Sequence, residues 1–104
     1  MLGSGEILAI SVVTLTELLS GMRPGEEKRT EQLFNLFTVL PINEEIGRTA
    51  GNYLRQFRKS HRLELGDALI AGTAFFHDAE VITRNLKHYP MRDIGVVAPY
   101  QRGA

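Results

Sequence analysis

The chain has 104 residues, 43% hydrophobic and 23% charged, the balance of one small globular domain with a single core. Twelve Lys and Arg face twelve Asp and Glu, so net charge argues for no nucleic-acid partner, and any such partner has to be read from local clusters. The absence of cysteine excludes disulfides, thiolate metal sites and cysteine nucleophiles; with no apolar run near the ~20 residues of a membrane helix and no basic stretch of a secretory signal, the expectation is a cytoplasmic protein.

Residues 1–5, "MLGSG", read as a linker or disordered N-terminus. "EILAISVV" (Glu6 to Val13) is a β-branched apolar run of buried-strand length, after which "TLTELLSGM" changes to helical spacing and "GMRPG" breaks the chain. "EEKRTEQLFNLF" (Glu26 to Phe37) suits a helix, with acids in its first turn, and "TVLPI" a short extended piece. The clearest helix is "NEEIGRTAGNYLRQFRKSHR". Asn43 is its N-cap, Glu44 and Glu45 suit the positive end, and Arg58, Lys59 and Arg62 suit the negative end. Ile46, Ala50, Tyr53, Leu54 and Phe57 form its buried stripe. A further helix is predicted over Gly66 to His77, then a strand in "AEVITRN" and a last strand in "IGVVAPY". Apolar strands alternating with helices predict an α/β domain, a parallel sheet flanked by helices.

Two acids stand out, and each has a structural alternative. Asp67 heads the small, apolar stretch "LGDALIAGTAFF", where an aspartate either caps the helix or faces a charged partner. Glu17 closes "TLTE", the form of a capping box in which it would reach back to Thr14. Both acids follow apolar stretches at the starts of helices. In parallel α/β sheets that is the end where ligand sites collect. "VITRN" puts Thr83, Arg84 and Asn85 at the matching end of another strand. Carboxylates and an amide oxygen converging there repel one another unless a cation lies between them, and oxygen ligands suit Mg²⁺ or Mn²⁺ rather than zinc.

In order, "AISVVTLTELLSGMR", "LELGDALIAGTA" and "VITRNLKHY", closed by "GVVAPY", resemble a PIN domain, and within that superfamily the VapC-type toxins of toxin–antitoxin pairs. The likeness runs from about Glu6 to Tyr100, which predicts a domain over 6–100 and a tail over 101–104. It implies a Mg²⁺- or Mn²⁺-dependent endoribonuclease, with Glu17, Asp67 and Asn85 at metal-site positions and Glu17 and Asp67 in the catalytic role. Thr83 falls on a nearby hydroxyl position, and Arg84 and Lys87 on positions that could contact RNA phosphate. It also implies a VapB-like antitoxin partner and a homodimer.

One departure accompanies the likeness. PIN domains open with a strand of the "xxxxDTxxL" kind that carries a ligand aspartate and lies in the middle of the sheet. This sequence enters at what resembles the second strand. The expectation is an incomplete sheet with its first strand missing and an unpaired edge that invites another strand. Three accounts are open: a fragment of a longer product, a chain completed by a separate piece or a strand-exchanged copy, or an inactive PIN-like remnant that only self-associates or binds a partner.

Basic residues cluster twice, as Arg55, Arg58, Lys59, His61 and Arg62 and as Arg84, Lys87, His88 and Arg92. Solvated surface and a favourable helix C-terminus explain them structurally; phosphate contact is the functional alternative. His61, His77 and His88 are too scattered for a ligand motif, and Gly72, inside a helix, predicts close packing against a neighbouring element.

Overall fold

The computed structural model describes residues 1–4 and 7–99, without the side chains of residues 4 and 7. Glu6, Tyr100 and the tail over 101–104 lie outside the described residues. The strands are β1 (Leu2–Ser4), β2 (Ile7–Ser11), β3 (Thr38–Leu40), β4 (Glu80–Ile82) and β5 (Val96–Val97). The helices are α1 (Val12–Ser20), α2 (Glu27–Phe34), α3 (Glu44–His61) and α4 (Leu65–Phe76). The strands form one sheet in the order β3-β2-β1-β4-β5.

The sheet is mixed rather than parallel. β2 pairs parallel with β3, and β4 with β5, whereas β1 runs antiparallel to both of its neighbours, β2 and β4. Four strands therefore share one direction, and β1 opposes them from the centre. Residues 2–4, read from the sequence as linker, are in fact this central strand, so the position between β2 and β4 is filled rather than left as an open edge. The reason is non-local. Leu2 is 1% exposed in the core, opposite Ala9 on one side and Val81 on the other. Pairing also satisfies backbone groups that burial would otherwise strand. Met1 extends it: the Ile82 N–H donates to the Met1 carbonyl at 2.7 Å, and the Met1 ammonium donates to the Ile82 carbonyl at 3.3 Å.

Register sorts the side chains onto two faces. Leu2, Ala9 and Val81 belong to one apolar cluster with Ala50, Tyr53 and Leu54 of α3 and Ala68, Ala71 and Ala74 of α4. α3 and α4 thus cover that face. On the other face lie Gly3, Leu8, Val39 and Val97, the last three more than a third exposed.

Local chemistry sets the helix ends. Asn43 is extended and its side chain accepts from the Ile46 N–H at 2.9 Å, capping α3 as its sequence predicts. Arg62 ends α3 in the left-handed region, φ 52°, and turns the chain into α4. α1 starts earlier than its sequence suggests. Ser11 is its cap, accepting from the Thr14 N–H at 3.1 Å, so Val12 and Val13 are helical and Glu17 lies in the body of α1. The Thr14–Glu17 capping box is not formed, because Ser11 has already taken the Thr14 donor.

Candidate active site

α1 follows directly from the carboxyl end of β2, and the loop after β4 carries Thr83, Arg84 and Asn85. α4 returns its carboxyl end to the start of β4, so its first turn lies at that same end of the sheet. The first turns of α1 and α4 touch: a Cβ at Gly66 would lie 3.5 Å from Val13 Cγ1. That contact brings Glu17 and Asp67 into one region from positions 50 residues apart in the sequence.

Asp67 does not cap α4. The cap position is Glu64, without a side-chain hydrogen bond, and Asp67 lies in the first turn with its carboxylate turned towards the segment after β4. There the Tyr89 hydroxyl donates to Asp67 Oδ1 at 3.4 Å, and His88 Nδ1 stands 3.9 Å from Asp67 Oδ2. Asp67 keeps 24% of its side chain exposed, and Tyr89 is buried. Burial first, then the charge of Asp67 and its hydrogen bond, and finally the charge of Glu17 raise the Tyr89 phenol above its ordinary range. Of the two predicted acids, Asp67 is the one that touches the phenolic oxygen.

The loop residues are placed differently. The Thr83 hydroxyl accepts from the Asn85 backbone N–H at 3.0 Å and so fixes the turn after β4. Arg84, Asn85, Lys87 and His88 are exposed and line, with Leu86, a surface cleft of about 480 Å³. A one-turn 3₁₀ helix, Leu86–His88, carries the cleft back to Tyr89. Arg55, Arg58, Lys59, His61 and Arg62 are exposed on the last turns of α3, whose end leads through Leu63 and Glu64 into α4.

Among the described residues no group of three or more Asp, Glu, His or Cys side chains is gathered for a metal. The acidic side chains in this region are Asp67 and, on the neighbouring α1, Glu17. That set fits a hard divalent cation that keeps much of its water, since Mg²⁺ is commonly held through one or two carboxylates. It does not fit zinc, which takes nitrogen and sulfur ligands in a closed tetrahedron.

Sequence reasoning missed Tyr89 and the His88 contact. Neither has a local signal: Tyr89 is 22 residues from Asp67, and "KHYP" reads as a basic loop. The closest hint is Pro90, which biases the residue before it towards extended backbone. Tyr89 has φ −126° and ψ 75°, outside the helical region.

Comparison with known proteins bears on the whole arrangement. The sequence matches the family model of the PIN domain over residues 2–93. It is 47% identical over 85 residues to Ribonuclease VapC10 of Mycobacterium tuberculosis, a stretch covering 81% of this chain and 64% of that protein. It is 37% identical over 92 residues to Ribonuclease VapC19 of the same species, covering 88% of this chain and 74% of that one. Among solved structures, VapBC-1 from nontypeable Haemophilus influenzae superposes with a TM-score of 0.78 at 26% identity, covering 92% of this chain and 77% of that chain. A toxin–antitoxin complex from Klebsiella pneumoniae superposes with a TM-score of 0.69 at 29% identity, covering 89% and 74%. The chain spans 64% of the length of its VapC10 relative, and among the described residues no helix is long and apolar enough to cross a membrane. With the family model matched along residues 2–93 and the VapC19 relative covered over 74% of its length, the chain belongs to the PIN domain family, among its VapC-type members.

Proposed function

We propose that this chain is a divalent-metal-dependent endoribonuclease of the VapC toxin type, acting on RNA in the cytoplasm and held in check by a VapB-like antitoxin. The observation that carries the reading is Asp67, held by the Tyr89 hydroxyl in the first turn of α4, beside the α1 helix that bears Glu17, at the carboxyl end of the parallel strands. The chain's likeness to Ribonucleases VapC10 and VapC19 and to toxin–antitoxin structures supports it.

In this reading Asp67 and Glu17 hold Mg²⁺ or Mn²⁺ directly or through water, with the Asn85 amide oxygen as a further ligand. The ion, when bound, supplies charge stabilisation for the phosphate and makes water more acidic. Arg84 and Lys87, both exposed on the cleft, bind phosphate and set the position of the strand rather than its sequence. Thr83 keeps the loop in register by accepting from the Asn85 N–H. A homodimer, with or without strand exchange, is part of the proposal.

A second reading, a PIN-like module that binds a partner without cutting RNA, is favoured by one observation: among the described residues no three Asp, Glu, His or Cys side chains gather to hold a metal. Mn²⁺-dependent cleavage of a structured RNA by the purified chain, beside Asp67→Asn and Glu17→Gln, separates the two. Cleavage lost in both variants supports the nuclease. No cleavage by the parent, or cleavage unchanged in the variants, leaves the binding module.

A further inference from the structure

A neutral hydroxyl that donates to one oxygen of a carboxylate leaves the other oxygen free to accept a cation. Tyr89 stands in that position. Its ring belongs to the apolar core cluster and is 9% exposed. Its backbone N–H donates to the Leu86 carbonyl at 3.1 Å, and Pro90 follows it, so its backbone is restrained on both sides. The hydroxyl is bound to Asp67 Oδ1 at 3.4 Å. Among the described residues, Asp67 Oδ2 stands 3.9 Å from the imidazole of His88, whose side chain is 60% exposed.

We infer that Tyr89 is a positioning residue for metal binding: its hydroxyl holds Asp67 Oδ1 so that Oδ2 is presented to a divalent cation shared with Glu17. The inference rests on the reading above, in which Asp67 is a ligand, and adds the group that aims it. Hydrogen-bond partners of metal ligands are part of a site's affinity, and removing one costs about 10–100-fold in metal binding.

The test is Mn²⁺ affinity of the full chain, measured from the electron paramagnetic resonance signal of free Mn²⁺, for the parent, Tyr89→Phe, Asp67→Asn and the double variant. Thermal melting of each is recorded alongside. Tyr89→Phe keeps the ring and is expected to keep the fold, with Mn²⁺ bound about tenfold or more weakly. In the Asp67→Asn background the same change is expected to do nothing further, which a merely structural role would not produce.

A second measurement leaves Tyr89 intact. Adding Mg²⁺ to the parent is expected to shift the Tyr89 ¹³Cζ resonance, and Asp67→Asn to abolish that response. Binding by the parent that Asp67→Asn weakens and Tyr89→Phe leaves unchanged overturns the positioning role but keeps the metal site. No Mn²⁺ binding by the parent overturns the metal reading itself, and the inference with it.

Discussion

Gly72 of α4 lies directly over the Ile46 carbonyl of α3: a Cβ built on Gly72 would be 2.9 Å from that oxygen and 3.4 Å from the Ala50 nitrogen. The two helices meet backbone to backbone, and α4 is thereby pressed down with Asp67 in its first turn. Gly72→Ala gains about 1 kcal/mol of helix propensity. It also forces a methyl into backbone that cannot give way as a side chain tip would, at a cost of about 1–3 kcal/mol. Packing is expected to win, lowering stability by up to about 2 kcal/mol in urea unfolding. A Gly72→Ala protein as stable as its parent would show that α3 and α4 can separate freely.

Leu2 carries the central strand. Its side chain is 1% exposed and packs in the same cluster as Ala9, Val81 and the apolar faces of α3 and α4. Leu2→Ala is expected to cost about 2–5 kcal/mol, the range for a buried leucine cut back to alanine. A residue in a linker would lose almost nothing. Denaturant midpoints for the two proteins decide between these outcomes, provided the slope of the transition is unchanged.

Alkaline pH acts on the fold through Tyr53. Its hydroxyl donates to Asp93 Oδ1 at 2.8 Å. Burial first, then that hydrogen bond and the Asp93 charge, raise the phenol above its ordinary value of 10.0. The folded chain therefore keeps a proton that the unfolded chain has lost once the pH passes 10.0. Fewer protons on the unfolded state mean that stability falls as pH rises, by up to about 1.4 kcal/mol per pH unit for this group. Below that pH both states hold the proton and no slope arises. Tyr53→Phe is expected to flatten the loss between about pH 10 and 11 relative to the parent. An equal slope in both proteins would remove Tyr53 as its source.

The sequence by itself determined what depends on neighbours along the chain. Asn43, the acids after it and the bases near His61 are enough to mark both ends of α3, because capping and the helix dipole act within a turn. The order of motifs around Glu17, Asp67 and Asn85 was enough for the family. The tertiary structure decided what depends on residues far apart. "MLGSG" has the composition of a linker, yet Leu2–Ser4 form the central strand, because β2 and β4 offer backbone partners and a buried place for Leu2. "TLTE" has the pattern of a capping box, yet Ser11, at the end of β2, caps α1 first, so Glu17 lies in the body of the helix. Tyr89 meets Asp67 only because the chain crosses from β4 back over the start of α4. A cap is a contact within a turn; a strand's place in a sheet and a phenol's partner are set by packing, and packing joins residues that sequence keeps apart.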